Sequence, residues 1–154
     1  MRTSTKALAT VAAGAAIFAA GAPAATADHS GPLKPNCSGT QIDHRTLKNS
    51  GGGTIGRVEL WYDGSKPGGQ NCVKTYTFYP GKSYTGASLG VDGDGDRKAN
   101  RYAYDEGWYS SYAGATFLNH TAGKCVQWGG LIYGPNEGSH ADDDSFKSKW
   151  KHCG

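Results

Sequence analysis

The chain reads as an all-β protein, a small antiparallel sandwich or barrel of seven to eight short strands stapled by two disulfides. Three observations predict this. Apolar and polar residues alternate with a period of two over Gly56–Tyr62 and Cys72–Tyr79, the repeat of a strand with one buried face. Glycine supplies 24 of the 154 residues and cuts the chain into short segments, with no extended amphipathic helical window. Four cysteines, Cys37, Cys72, Cys125 and Cys153, follow a segment that reads as an export signal. An even count in an exported chain points to a disulfide framework.

That export signal covers residues 1–27. Arg2 and Lys6 precede an apolar, small-residue run from Ala7 to about Ala20, followed by Gly21-Ala22-Pro23 and an Ala25-Thr26-Ala27 cleavage site. The run is shorter than the roughly 20 residues a membrane span needs, and no second apolar stretch follows it. The expected product begins at Asp28 and is secreted and extracellular, with no membrane anchor. Cleavage removes two of the 16 Lys/Arg residues and none of the 13 acids, leaving 14 bases against 13 acids. A nearly neutral surface exerts little long-range pull on polyanions, so nucleic acid is not an expected partner.

Along the mature chain, residues 28–36 carry Pro32 and Pro35 and read as a flexible N-terminal segment; residues 37–154 read as the β-domain. Gln41–Leu47 is a half-polar first strand. Gly56–Tyr62 turns through Asp63-Gly64 and Pro67-Gly68-Gly69 into Cys72–Tyr79, an antiparallel hairpin. Pro80-Gly81 ends that strand and Tyr84–Val91 follows. Arg101–Tyr104 and Trp108–Tyr112 read as two short strands around Gly107. Thr116–Asn119 and Lys124–Trp128 read as a second hairpin turned at Thr121-Ala122-Gly123. Gly129–Asp144 reads as a long loop and Phe146–His152 as the final strand. Three cysteine pairings are open. Cys37–Cys72 with Cys125–Cys153 is preferred because it staples each half locally, each loop of about 30 residues contributing roughly 3–4 kcal/mol. The scattered spacing, without a C-x-x-C pair, disfavours zinc.

The residues able to carry chemistry are few. Asp92, Asp94 and Asp96 match positions 1, 3 and 5 of a calcium loop, but Arg97 stands where glycine is required and Ala103 where glutamate is. Calcium is therefore the one conceivable cofactor, against a solvated acidic turn. Gly86-Ala87-Ser88-Leu89-Gly90 matches G-x-S-x-G without the strand-turn-helix that a nucleophile elbow needs. His140 beside Asp142, Asp143 and Asp144 reads as a solvated loop rather than a metal site. No catalytic residue and no enzymatic activity are expected. Aromatic side chains anchor interfaces and stack on sugars, and they also fill cores where Leu and Ile are scarce. Trp61, Tyr79, Trp108, Trp128 and Trp150 are the candidate binding aromatics, shared between those two roles.

The blocks Gly56-Arg57-Val58-Glu59-Leu60-Trp61-Tyr62, Asn71-Cys72-Val73-Lys74-Thr75, Gly107-Trp108-Tyr109-Ser110-Ser111-Tyr112-Ala113-Gly114 and Gly123-Lys124-Cys125-Val126-Gln127-Trp128-Gly129-Gly130 resemble the spore-associated protein A family of streptomycetes. The likeness runs from Cys37 to Gly154. It implies a small exported protein found with spores and aerial hyphae, with no established enzymatic activity, and it transfers no active-site residues. The expected function is a non-enzymatic spore- or cell-surface-associated binding or structural module. Its partner would be cell-surface or spore material, or an extracellular protein. The alternative is a secreted inhibitor of an extracellular protease, presenting Lys66 from the Lys66-Pro67-Gly68-Gly69 loop.

Overall fold

A computed structural model describes residues 36–135 and 143–154. Among these there is no helix, and eight strands form two four-stranded antiparallel sheets. The strands are β1 (Thr40–Lys48), β2 (Thr54–Asp63), β3 (Gln70–Thr77), β4 (Ser83–Asp92), β5 (Arg101–Tyr109), β6 (Tyr112–Asn119), β7 (Cys125–Tyr133) and β8 (Asp144–Lys147). The first sheet has the order β1-β2-β3-β6 and the second β5-β4-β7-β8. The signal segment and His140 lie outside the described residues.

Period-two alternation decides which side chains meet between the sheets. Val58 and Leu60 of β2 and Val73 and Thr75 of β3 face Ala87, Leu89 and Val91 of β4 and Val126, Trp128 and Ile132 of β7, all 0–1 % exposed. The β2–β3 hairpin has the expected register, with Val58 opposite Thr75 and Leu60 opposite Val73. Gly130 is a close approach between the sheets: a Cβ there would lie 2.7 Å from Val58 Cγ2. Where β3 hands over to β4, Ser83 Oγ donates to Thr77 Oγ1 at 2.7 Å and lies 3.0 Å from Thr85 Oγ1, so these buried hydroxyls satisfy one another. Thr75 Oγ1 and Trp128 Nε1 are buried without a hydrogen-bond partner among the described residues.

Four expectations are corrected. Arg101–Tyr109 is one strand that runs through Gly107, because β4 pairs with it continuously from Ser83–Tyr109 to Val91–Arg101. Gly129–Tyr133 is not loop but the second half of β7, whose glycines sit opposite Ser88 and Ala87. The segments around Thr116–Asn119 and Lys124–Trp128 are not a hairpin: β6 belongs to the first sheet and β7 to the second, so the turn at 120–124 crosses between layers. The last strand stops at Lys147, since Ser148 Oγ accepts the Trp128 N–H in place of a backbone carbonyl, and pairing resumes as a single bridge at Lys151–Val126.

The disulfides are Cys37–Cys72 and Cys125–Cys153, separated by 35 and 28 residues. Cys72 points away from the core, so the first bond fastens the segment before β1 onto the outer face of the first sheet. Lys74 Nζ donates to Asn36 Oδ1 at 3.0 Å there, and lies over the Tyr112 and Tyr76 rings at 3.9 and 4.9 Å. Glu59, directly opposite Lys74, accepts from Trp61 Nε1 at 3.0 Å and pairs with Arg57 at 2.5 Å. Glu59 and Lys74 are thereby only 2 % and 5 % exposed on an outward face.

Thr75→Val replaces the unpaired hydroxyl with a methyl of similar shape and is expected to stabilise the fold by about 1–2 kcal/mol. The readout is a higher urea midpoint at unchanged slope; a lower midpoint would contradict an unpaired group. Replacing Cys37 and Cys72 together by alanine is expected to cost roughly 3–4 kcal/mol in the same assay.

Candidate functional site

On the outer face of the second sheet the alternation produces an open groove. In β5 it turns Tyr102, Tyr104, Glu106 and Trp108 outward and Ala103, Asp105, Gly107 and Tyr109 toward the interior. In β4 the outward set is Tyr84, Gly86, Ser88 and Gly90, and in β7 it includes Gly129, Leu131 and Tyr133. β8 adds Ser145 opposite Leu131 and Lys147 opposite Gly129. At Gly86, Ser88 and Gly129 the central strands thus carry little side-chain bulk beside the rings of β5. A cavity of about 430 Å³ results, floored by Gly86, Ser88 and Gly130, with Tyr102, Tyr104 and Glu106 on one side and Leu131, Ser145 and Lys147 on the other. A Cβ on Gly86 would close its middle, 3.0 Å from Leu131 Cγ and 3.4 Å from Glu106 Cβ.

Beside the groove, on the same face, runs a stripe of rings across three strands. Tyr84 stacks on Tyr133 at 5.8 Å and meets Trp108 edge-on at 5.8 Å. The Tyr84 hydroxyl donates to Glu106. Burial and then the neighbouring Glu106 carboxylate hold this phenol above its ordinary pKa of 10.0. Further along β5, the Tyr102 and Tyr104 rings lie 5.9 Å apart at 31°. Asp105 serves the scaffold: its carboxylate accepts from Tyr109 Oη at 2.8 Å and from the Gly114 N–H at 2.7 Å, tying β5 to β6.

The candidate aromatics separate by position. Trp108 is 44 % exposed and stands on the same face as the groove, two positions along β5 from its lining residue Glu106. Trp128 does not bind anything from outside: at 1 % exposure it is the largest fully buried side chain, edge-on to Phe146 at 4.9 Å. Tyr79 packs against the core, half-buried. Trp61 is engaged with Glu59 on the other sheet, and Trp150 is half-buried beyond β8. Tyr84, Tyr102, Tyr104 and Tyr133 were not singled out from sequence. Their signal is the outward register of Tyr102, Tyr104 and Trp108 on a strand that Gly107 does not interrupt.

Asp92, Asp94 and Asp96 do converge, with carboxylate oxygens within 4.8 Å of one another. They lie in the β4–β5 hairpin loop, and the loop uses their acceptors. Asp92 receives the N–H groups of Gly95 at 2.7 Å and Arg97 at 3.1 Å; Asp94 receives Asn100 Nδ2 at 2.9 Å. The Asn100 bond chiefly holds the Asp94 carboxyl below the usual carboxylate range. Such a cluster suits a hard cation, and it also organises the turn by itself. Ser88 sits in mid-strand on the groove floor, where no described lining residue is a histidine.

The fold and the groove define a small, disulfide-bonded, two-sheet antiparallel β-protein with an open aromatic face. The chain belongs to the spore-associated protein A family: it is similar to Spore-associated protein A of Streptomyces coelicolor, 31% identical over 140 residues that cover 85% of this chain and 83% of that protein. No family model matches the chain, and no solved structure matches it.

The Tyr84–Glu106 contact has a spectroscopic consequence. Subtracting a Tyr84→Phe phenolate titration from that of the unaltered protein is expected to isolate a midpoint above 10.0, and Glu106→Gln is expected to lower it. Because the folded-state value is raised, the associated stability is complete below the ordinary tyrosine pKa and is lost as pH rises through the raised one.

Proposed function

We propose that this chain is a secreted, non-enzymatic protein that attaches to spore or cell-surface material, with the open face of the second sheet as its contact surface. The observation that carries this reading is the concentration of exposed rings. Tyr102, Tyr104, Trp108 and Tyr133, each 44–66 % exposed, share one face of one sheet. Exposed apolar groups gathered in one patch mark interaction surfaces. Two disulfides and a spore-associated relative fit an extracellular protein.

The groove's polar groups support binding more than catalysis. Glu106 is hydrogen-bonded by Tyr84 and Asp105 is turned into the scaffold, so no pair of carboxylates faces across the groove among its described lining residues. The geometry does not favour the inhibitor alternative. Lys66 begins a tight turn closed by the Gly69 N–H on its carbonyl at 2.8 Å, and Gly68 and Gly69 are bonded to Ala122 and Thr121. Protease clefts take extended segments.

Purified residues 28–154 are expected to sediment with washed spores or mycelial wall in a saturable manner that survives added salt, as contacts through rings rather than charges would. Failure to sediment with either material at any salt concentration would overturn the reading.

A further inference from the structure

We propose that the groove of the second sheet is a glycan-binding site that takes a chain of neutral pyranose units along β5. This deepens the reading above and rests on it. The first support is the kind of ring exposed. All four strongly exposed groups on this face are Tyr or Trp, which combine a flat apolar surface with a polar tip. Phe78, Phe117 and Ile42, the other exposed large apolar groups among the described residues, lie on or directly after strands of the first sheet. Such rings anchor protein interfaces as well; what points to a sugar is their place beside hydrogen-bonding groups, since a pyranose offers a C–H face rimmed by hydroxyls.

Spacing is the second support. Outward positions on a strand recur about every 7 Å, so Tyr102, Tyr104, Glu106 and Trp108 make a linear series with a carboxylate between rings. The Tyr102 and Tyr104 rings, 5.9 Å apart and tilted by 31°, present faces to two successive units of one chain. The third is the floor. Gly86 leaves the backbone bare, and the hydroxyls of Ser88 and Ser145, the Lys147 ammonium and the Glu106 carboxylate surround that strip with donors and acceptors for sugar hydroxyls. Charge is the fourth. The lining carries two acids, Asp105 (tied to Tyr109 and Gly114) and Glu106, against one base, Lys147, a balance that disfavours a polyphosphate or another polyanion and leaves a neutral polymer.

The test is titration of residues 28–154 with cellohexaose and, separately, chitohexaose, read by tryptophan fluorescence from Trp108 and by calorimetry, with inorganic polyphosphate as the charged comparison. Saturable binding of at least one hexasaccharide is expected, with no comparable binding of polyphosphate; which hexasaccharide binds tells glucan from aminosugar polymer. Tyr104→Ala is expected to weaken binding about tenfold or more, and Ser88→Trp to block it by filling the floor. Phe117→Ala, on the other sheet, is expected to bind as the unaltered chain does. Circular dichroism checks that each variant is folded. Binding of neither hexasaccharide, preference for polyphosphate, or unchanged affinity in folded Tyr104→Ala would overturn the proposal. If Tyr104→Ala still sediments with spores or wall as the unaltered chain does, the glycan groove falls while surface attachment stands.

Discussion

Trp128 occupies the space in which the two sheets meet. It is the largest side chain with essentially no exposure, and Val58, Leu60 and Val73 from one layer and Leu89, Val126 and Ile132 from the other make up the buried cluster with it. Burial of apolar area between two layers is the main term that holds a protein of this size together. Its geometric demand is strict: every strand must keep its inward residues in register, and a slip of one residue would exchange the two faces. The outward residues are fixed by the same demand. Tyr102, Tyr104 and Trp108 are lined up because Ala103, Asp105, Gly107 and Tyr109 must face the other way.

The two outer faces then have different fates. On the first sheet, the Cys37–Cys72 bond brings the chain back across the strands, and Lys74 and Glu59 are covered as a result. Burying charges is costly unless their partners are supplied. Here Arg57 and the Trp61 N–H serve Glu59, while Asn36 and two tyrosine rings serve Lys74. The second sheet has no such covering among the described residues, and its central strands carry glycine and serine where a covered face would carry bulk. The first sheet is covered locally, around Glu59 and Lys74, while Phe117 and most of β1 stay exposed; the second is left with rings and a trough.

Much of this was legible in the sequence. The strong alternation of β2 and β3 located the hairpin and its inward residues, and the even cysteine count with local spacing indicated the two bonds. The failures have a common physical origin. Gly107, Gly129 and Gly130 were read as breaks, since glycine weakens an isolated strand; in the fold they continue strands whose neighbours hold them by pairing on one or both sides. The 120–124 turn looked like a hairpin because turn chemistry is local, whereas the choice between pairing within a sheet and crossing between sheets is made by the whole core. Tryptophan was favoured over tyrosine as a binding residue by type, yet type does not tell burial: Trp128 is sealed in and Tyr104 is 66 % exposed.

The strand order also constrains how the chain assembles. β1, β2 and β3 are neighbours both in sequence and in space, so three-quarters of the first sheet closes through short turns at small entropic cost. The second sheet cannot do this. β4 is flanked by β5, which follows at once, and by β7, which lies beyond the whole of β6. A chain emerging from its N-terminal end would present the meander and the Cys37–Cys72 pair first, and a β4–β5 hairpin with an unpaired inner edge until residues 125–133 arrived. Non-local pairing of this kind is the slow step in β-proteins. The groove, built on β4, β5, β7 and β8 together, can close only when strands from both ends of this stretch are in place.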